Sequence, residues 1–363
     1  MSQKLEVKYE GKFCYNIHIE NSFSDFSKAY ASVSGLNCKK VCIVTDSNVA
    51  KLYLNEMENI CKKQFEVVES FIFDAGEASK NLSVVEKLYQ KLINSRFDRK
   101  DMLMALGGGV VGDLTGFTAA TYLRGISFIQ VPTTLLSQVD SSIGGKTGVD
   151  FLQYKNMVGA FYMPKMVYIN TAVLHSLPEV QFQSGMGEVI KHGLIKSANY
   201  YQWLKDNRSA ICSLDDAVME KLIFESCKIK KRVVEEDPKE QGIRAHLNFG
   251  HTLGHAIEKL SEFSLYHGQC VSIGINGAAF LSMKNHGLSK TDYEDILKTL
   301  TSFGLPVTVK NYSKTQVLSA TKSDKKMEGN HIKFVVLDSL GDATIDKSYT
   351  DDDLLQAIDV VID

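Results

Sequence analysis

The chain has neither a long apolar run nor a surplus of basic charge. No uninterrupted apolar stretch approaches the roughly 18 residues of a membrane-spanning helix, so no membrane span is predicted. The 41 Lys and Arg residues stand against 43 Asp and Glu residues, which gives a net charge of −2. This balance argues against nucleic-acid binding. Any anionic ligand must therefore be held by locally placed cations.

The chain has no closely spaced cysteine pair of the Cys-x-x-Cys kind, and it has few prolines. The seven cysteines are scattered without a Cys-x-x-Cys pair, so neither a disulfide framework nor cysteine-bound zinc is predicted, and a reducing compartment fits. The first residues lack an apolar signal core, which agrees with a cytoplasmic location. Only five prolines occur, and none interrupts a predicted helix.

The length of 363 residues predicts two domains, because single cores rarely grow past about 250–300 residues. Short apolar runs alternate with helical patterns in the first part, which predicts an α/β domain over residues 1–171 with a mostly parallel, Rossmann-like sheet. Long helical patterns then predict a mainly helical domain over 172–363. The predicted strands are 41–46, 67–73, 102–106, 126–131 and 333–337, and the predicted helices are 82–93, 112–122, 182–197, 215–235, 249–261, 268–285, 290–303 and 352–361.

Three of the nine histidines lie close together in the second part. His251 and His255 are four residues apart and share one face of a helix, and His267 falls where the next helix begins. A catalytic zinc site uses three protein ligands and keeps a position for water or substrate. Glu188 could complete a shell with two of the imidazoles, although an exposed ion pair with Lys191 is the simpler interpretation of that residue.

A glycine-rich turn follows a predicted strand and opens a helix. Gly107, Gly108 and Gly109 begin the sequence GGGVVGD, which would let the backbone approach a pyrophosphate at a helix amino terminus. The sequence differs from GxGxxG, so a tight structural turn is the alternative. Asp46 ends the first strong strand, where it could bind ribose hydroxyls or simply cap a turn.

The segment 138–148 is polar and rich in glycine, and it presents Asp140 and Lys146 on a flexible backbone, either as substrate-binding groups or as part of a solvated loop. Gly145-Lys146-Thr147 resembles the end of a P-loop, but Asp140 stands where the motif needs glycine. Lys230, Arg244 and other basic residues of the second part are each compatible with a solvated surface. Together they could hold a substrate that carries phosphate and carboxylate.

Several long motifs in order make the chain resemble the 3-dehydroquinate synthases, a family of sugar-phosphate cyclases, over nearly its whole length. The motifs are Leu106–Asp113, Tyr122–Ile126, Val131–Leu136, Val139–Thr147, Gly187–Lys191 and Leu247–Thr252.

The resemblance implies conversion of 3-deoxy-D-arabino-heptulosonate 7-phosphate to 3-dehydroquinate and phosphate, a step of the shikimate pathway. It implies transient oxidation by NAD, phosphate elimination, re-reduction and intramolecular aldol closure. NAD and Zn²⁺ or Co²⁺ would be the cofactors, 1–171 the NAD-binding domain and 172–363 the metal- and substrate-binding domain. The partners would be a small sugar phosphate and a second copy of the chain in a homodimer.

The resemblance also implies roles for individual residues. The metal ligands would be Glu188, His251 and His267, which leaves His255 as an acid/base or substrate contact. Catalytic roles would fall to His255, Lys146, Asn156, Asp140 and Lys191. The NAD contacts would be Asp46, Asn48, Glu77, Lys80, Gly107, Gly108, Gly109, Asp113, Thr133, Thr134, Lys155, Ser176 and Leu177. The substrate contacts would be Arg124, Asp140, Lys146, Asn156, Lys191, Lys230, Arg244, Asn248, Lys325 and Lys326.

Two other enzyme classes stay open. A 2-deoxy-scyllo-inosose synthase would usually carry Glu-Tyr where this chain has Asn248-Phe249. A metal-dependent polyol or alcohol dehydrogenase would release NADH stoichiometrically. The chain also departs from the family pattern at Asp150, where asparagine is usual, at Tyr154, where glycine is usual, and at Ser176 and Gln181.

Overall fold

The structure is a computed structural model that describes residues 3–152, 154–262, 264–323, 327–328 and 331–363. The chain divides into two compact units that are discontinuous in sequence. The predicted division after residue 171 is a single cut and stays a prediction. The first unit comprises Met1–Leu177 and Met219–Lys231, and the second comprises Pro178–Val218 and Arg232–Asp363.

The first unit is built on a mostly parallel sheet. Its strands are β1 (Gln3–Tyr9), β2 (Lys12–Glu20), β3 (Lys40–Asp46), β4 (Val67–Phe73), β5 (Met102–Gly107), β6 (Ser127–Pro132) and β9 (Met166–Asn170), and the hairpin beside them is β7 (Lys146–Phe151) with β8 (Tyr154–Phe161). Over the described residues the sheet order is β1-β2-β9-β6-β5-β3-β4. Only the β1–β2 pair of this sheet is antiparallel.

Helices and short helical turns connect these strands. The helices are α1 (Phe26–Ala31), α2 (Ser47–Val49), α3 (Asn55–Cys61), α4 (Leu82–Asn94) and α5 (Gly109–Thr121). The turns are Ala50–Leu54, Glu77–Ser79, Tyr122–Arg124, Ser137–Ser141 and Thr171–Ser176.

The central strands are apolar on both faces because both faces of the sheet are covered. Met102 and Met104 of β5 pack in one hydrophobic cluster, whereas Leu103 and Ala105 pack in the other. Alternation of side chains along a strand explains this division, and double-sided burial is typical of parallel sheets. The strand ends, where the glycine-rich turn begins at Gly107, are therefore fixed by a rigid sheet.

The second unit is mainly helical. Its helices are α6 (Glu179–Lys196), α7 (Ala198–Asp206), α8 (Arg208–Cys212), α10 (His251–Leu260), α11 (His267–Asn285), α12 (Lys290–Ser302), α13 (Lys314–Lys322) and α14 (Asp351–Asp359), and its strands are β10 (Met327–Glu328), β11 (His331–Ile332), β12 (Phe334–Ser339) and β13 (Asp342–Asp346). The long helix α9 (Asp216–Glu236) contributes residues to both units. Leu253, Ile257 and Ile273 lie in the core between α10 and α11.

The predicted fold class is confirmed, and most predicted elements are present within a few residues of their predicted ends. Helix α5 begins at Gly109, three residues before the predicted start. The segment 138–148 is more regular than a flexible backbone, because Ser137–Ser141 forms a helical turn and Lys146 begins β7, with a turn at residues 142–145 between them. Among the described residues, no helix is long and apolar enough to cross a membrane.

Candidate active site

Three helices of the second unit bring Glu188, His251 and His267 together. Glu188 lies within α6, and the two histidines are the first residues of α10 and α11. The Oε1 atom of Glu188 is 3.5 Å from Nε2 of His251 and 3.7 Å from Nε2 of His267. The three possible ligand atoms all lie within 4.8 Å of one another. We call this group the metal cluster.

Glycines beside these ligands allow the helices to approach closely. A Cβ atom on Gly187 would lie 2.7 Å from the carbonyl oxygen of Gly268, and one on Gly254 would lie 2.9 Å from that of Cys270. Gly250 precedes His251 with φ of 79°, a left-handed conformation that favours glycine. Glycine at these positions therefore lets the helices that carry the ligands pack closely.

The donor set fits a zinc or cobalt ion. Tetrahedral zinc with bonds of about 2.0–2.2 Å separates its ligand atoms by about 3.3–3.6 Å. The distances from Glu188 Oε1 to the two imidazole nitrogens, 3.5 and 3.7 Å, are close to that separation. Two imidazoles and one carboxylate are also a ligand set found in catalytic zinc sites, which keep a further coordination position open.

Each imidazole of the metal cluster has a second polar neighbour. Nδ1 of His251 is 3.2 Å from the carbonyl oxygen of Phe249, and Nδ1 of His267 is 3.5 Å from Oε2 of Glu258. Burial by itself would lower the pKa of His267, but the hydrogen bonds and charges of Glu188 and Glu258 raise that pKa to about 10. Contacts of this kind fix the orientation of a ligating imidazole.

Lys191 and His255 lie close to the metal cluster. The ammonium of Lys191 pairs with Oε2 of Glu188, and both side chains are only 1% exposed. The pair is therefore buried, and the exposed ion pair considered from the sequence is wrong. The ring centroid of His255 is 5.2 Å from that of His251 and 6.0 Å from that of His267. All three predicted histidines thus converge.

Arg244 and Asn248 belong to a short helical turn, Ile243–Asn248, before α10. Arg244 is 2% exposed, and its guanidinium donates to the carbonyl oxygen of Pro238 at 2.6 Å. The amide of Asn248 donates to Glu240 at 2.8 Å. Lys325 and Lys326 lie outside the described residues.

The glycine-rich turn of the first unit leads directly into α5. Gly108 is the residue before the helix, and it makes no side-chain hydrogen bond to the amides of the first turn. A Cβ atom on Gly108 would lie 3.1 Å from the methyl group of Thr134. The hydroxyl of Thr133, a residue that is 5% exposed, has no hydrogen-bond partner among the described residues. A helix amino terminus, close backbone access and a buried hydroxyl fit a dinucleotide phosphate.

Three charged side chains predicted to contact NAD, those of Lys80, Glu77 and Asp113, lie together with Asn156, which was predicted to contact the substrate. We call these four residues the lysine cluster. The ammonium of Lys80 lies 2.7 Å from Asp113 Oδ2 and 3.9 Å from Glu77 Oε1. It also donates to Asn156 Oδ1 at 2.6 Å. Asn156 has φ of 53°, and its backbone amide donates to Asp150 at 2.8 Å.

Most of the remaining predicted NAD residues lie at turns near strand ends, and Lys155 lies in strand β8. Asp46 caps α2 by accepting from the amides of Asn48 and Val49 at 2.8 and 3.0 Å, so the capping role considered from the sequence is present. Ser176 hydrogen-bonds to Tyr53, and Leu177 ends the turn after β9. Lys155 Nζ lies 3.7 Å from Glu77 Oε1.

Two predicted substrate residues of the first unit form an ion pair. Lys230 of α9 lies 2.6 Å from Oδ1 of Asp140, and its side chain is 9% exposed. Lys146 and Arg124 are exposed, and Arg124 has φ of 68° at the end of the turn after α5.

Sequence reasoning missed Glu258 and the contact made by Asp150. Glu258 lies three residues after His255 and seven after His251, so all three share a face of α10. This helical spacing was the available signal. In the sequence, Asp150 stands out only as a departure from the family pattern, and no spacing rule connects it to Asn156.

Comparisons with known proteins identify the family to which the chain is similar. Family models described as 3-dehydroquinate synthase N-terminal and C-terminal match residues 70–184 and 185–327. The 3-dehydroquinate synthase of Acetivibrio thermocellus is 41% identical over 359 residues, which are 98% of each chain.

Solved structures share the fold. A 2-deoxy-scyllo-inosose synthase with carbaglucose-6-phosphate, NAD⁺ and Co²⁺ superimposes with a TM-score of 0.89 at 23% identity, covering 98% of this chain and 99% of that one. The 2-epi-5-epi-valiolone synthase of Streptomyces hygroscopicus with NAD⁺ and Zn²⁺ gives 0.86 at 21% identity, with 96% of each chain covered.

Fold and sequence together place the chain among the sugar-phosphate cyclases. Within that superfamily it belongs to the 3-dehydroquinate synthase family, as the two family models and the full-length relative show. It is an enzyme with the activity of that family, so the predicted resemblance and activity are confirmed.

Proposed function

We propose that the chain converts 3-deoxy-D-arabino-heptulosonate 7-phosphate to 3-dehydroquinate and phosphate with NAD and a zinc or cobalt ion as cofactors. The first unit would bind NAD, and the second would bind the metal. The single observation that carries the residue assignment is the metal cluster, in which Glu188, His251 and His267 have the donor types and spacing of a catalytic zinc site.

The metal cluster would hold the ion through one carboxylate oxygen and two imidazole nitrogens. When bound, the ion supplies Lewis-acid polarisation of a substrate hydroxyl, and NAD supplies a reversible hydride acceptor. Lys191 forms a buried ion pair with the other oxygen of the Glu188 carboxylate. Its ammonium is also suited to an anionic substrate group.

Gly107, Gly108 and Gly109 would bind the dinucleotide phosphates at the start of α5, where the backbone amides of the first turn and the helix dipole favour negative charge. The buried hydroxyl of Thr133 supports this placement. The other contacts proposed for NAD are Asp46, Asn48, Glu77, Lys80, Asp113, Thr134, Lys155, Ser176 and Leu177.

The substrate carries a phosphate and a carboxylate, and this chain offers ordered cations rather than a general positive field. Asp140 holds the Lys230 ammonium at 2.6 Å, which fixes a cation for an anionic group. The buried Arg244 is oriented by its bond to Pro238. The other substrate contacts that we propose among the described residues are Arg124, Lys146, Asn156, Lys191 and Asn248.

His255 would hold or transfer a proton beside the metal cluster. An imidazole suits this task because its proton is exchanged between about pH 5 and 8. The ring lies within 5.2 Å of the His251 ring and is partly exposed, so a substrate group can reach it. Lys146, Asn156 and Asp140 are the further catalytic candidates. The homodimer and the cytoplasmic location stay predictions.

Phosphate release tests this function directly. Metal-free protein supplied with the sugar phosphate, NAD and Zn²⁺ or Co²⁺ should release phosphate, while NAD is needed in catalytic amounts and NADH does not accumulate. Omission of either the metal or NAD should abolish release. Stoichiometric NADH formation would instead indicate a dehydrogenase.

The assignment of the metal ligands is tested separately, with a variant of one ligand. His267→Ala should lose bound metal and turnover together, measured by elemental analysis and phosphate release. Full metal content with a normal rate in this variant would contradict the assignment of the metal cluster.

A further inference from the structure

We propose that Glu258 is a positioning residue of the metal centre. Its carboxylate would hold the imidazole of His267 so that the opposite ring nitrogen is directed at Glu188 and His251. This inference rests on the proposed function, because it takes the metal cluster as the site of the ion.

The two ring nitrogens of His267 are divided between two carboxylates. Nε2 lies 3.7 Å from Oε1 of Glu188, whereas Nδ1 lies 3.5 Å from Oε2 of Glu258. The Glu258 side chain is only 7% exposed, so it contacts the imidazole in a largely dry environment. A histidine that binds metal through one nitrogen commonly donates the other N–H to a carboxylate or a carbonyl.

The helices determine where this carboxylate lies. Glu258 follows His251 by seven residues on α10, which places both on one face of the helix. Gly254 lies between them and brings α10 against α11, since a Cβ atom there would lie 2.9 Å from the carbonyl oxygen of Cys270. The start of α11 is fixed by a capping box in which Gln269 accepts from the Tyr266 amide at 3.0 Å.

His251 and His267 differ in the charge of their second neighbour. Nδ1 of His251 faces the neutral carbonyl oxygen of Phe249 at 3.2 Å, whereas His267 faces a carboxylate. A charged acceptor strengthens the hydrogen bond and makes the imidazole a more basic ligand. Replacement of Glu258 should therefore weaken metal binding even though Glu258 does not touch the ion.

A second cation is the competing explanation for the same geometry. His255, Glu258 and His267 also offer three ligand atoms within 4.8 Å of one another. In that arrangement Glu258 would itself be a ligand, and the full chain would bind two ions. Metal stoichiometry therefore separates a positioning role from a second site.

The test compares Glu258→Gln, Glu258→Ala and the exposed control Glu262→Gln in the full chain. Zinc affinity is measured by competition with a chromophoric chelator, and the geometry of the centre is read from the visible absorption of bound Co²⁺. Loss of a residue that hydrogen-bonds to a metal ligand typically lowers the metal affinity about 10–100-fold. We expect that loss for Glu258→Ala, with a shifted Co²⁺ spectrum. A smaller loss is expected for Glu258→Gln, which keeps an acceptor oxygen, and none for Glu262→Gln.

Wild-type affinity and an unchanged Co²⁺ spectrum in both Glu258 variants would overturn the proposal, as would two ions in the wild type and one in Glu258→Ala. If Glu258→Ala does not fold, as judged by thermal unfolding of the metal-free protein, the nearly isosteric Glu258→Gln decides. Loss of metal in His267→Ala with unchanged Glu258 variants would reject only the positioning role. A wild type that binds neither Zn²⁺ nor Co²⁺ would reject the metal centre as well.

Discussion

The metal cluster of the second unit and the lysine cluster of the first unit assemble charged side chains in different ways. Glu188, His251 and His267 come from helices whose spacing is set by backbone contacts at glycines. Lys80 instead meets partners from α5 and the β7–β8 hairpin through direct ion pairs and hydrogen bonds. Packing determines the first arrangement, and charge pairing determines the second.

Because of this difference, the two clusters should respond to different kinds of substitution. An added methyl group between helices should disturb the metal cluster although no ligand is changed, because buried helices cannot accommodate it without moving. The lysine cluster should tolerate small steric changes at the start of α5 but respond to the loss of a charge. The two regions can therefore be tested with matched substitutions.

The largest effect is expected for Glu188→Gln. Lys191 would lose the partner of a buried ion pair, and breaking such a pair typically costs about 3–5 kcal/mol. We expect this loss in the free energy of unfolding of the metal-free protein, measured in urea, together with loss of bound zinc.

A double substitution sharpens this test. Glu188→Leu combined with Lys191→Met removes both charges, so most of the stability should return while zinc binding stays absent. An equal loss of stability in the single and double variants would show that the charge pair is not the cause.

An intermediate effect is expected for Gly268→Ala in α11. The added methyl group would clash with the backbone of Ser184 in α6, so we expect a loss of about 3 kcal/mol and weaker zinc binding. Gly109→Ala is the matched change in the first unit, where the nearest atom is the Ser141 hydroxyl at 3.2 Å. It should change stability by less than about 1 kcal/mol. Equal effects in urea unfolding would break the distinction between the two regions.

A smaller effect than that of Gly268→Ala is expected for Lys80→Gln, about 1–2 kcal/mol at neutral pH, because its partners Asp113 and Glu77 are partly exposed. Burial already raises the pKa of Asp113, and the charge of Lys80 opposes that rise, so its removal should raise this pKa further. A carboxyl whose pKa is raised by folding is most favourable to stability below its unfolded pKa of about 3.9 and least favourable above its folded pKa.

The stability difference between Lys80→Gln and the wild type should therefore shrink as the pH falls toward 4. Urea unfolding at pH 7 and at mildly acidic pH measures this difference. Zinc content should be unchanged in this variant. A difference that grows on acidification would contradict the role of Asp113.

The parts of the fold with strong local patterns were predictable from the sequence. Strands β3 and β4 were found because each is a short run rich in β-branched and aromatic residues. The β7–β8 hairpin was missed because Gly145 and Gly148 suggest a loop, whereas Gly148 is needed for close strand contact. A Cβ atom there would lie 2.9 Å from the carbonyl oxygen of Val158. Such contacts are long-range and leave no local periodicity.

In the candidate site, too, the features with a local sequence pattern were predictable and the long-range contacts were not. The spacing of His251 and His255 indicated a shared helical face, and the family motifs indicated Glu188 and His267 as partners. The neighbours that orient these ligands were not found, because the contact of Glu258 with His267 depends on how α10 and α11 pack. Burial of the Glu188–Lys191 pair was likewise not evident from an i,i+3 spacing, which more often marks solvent-exposed pairs.

The course of α9 has a practical consequence for experiments on isolated parts of the enzyme. Its segment Met219–Lys231 belongs to the first unit although the sequence on both sides belongs to the second. Leu222, Ile223 and Cys227 of this segment are fully buried. A truncation at residue 177 would remove this buried segment and so leave the first unit incomplete. Expression of either half as one uninterrupted stretch should consequently give an aggregation-prone product, and separate study of the halves would need a circularly permuted or grafted chain.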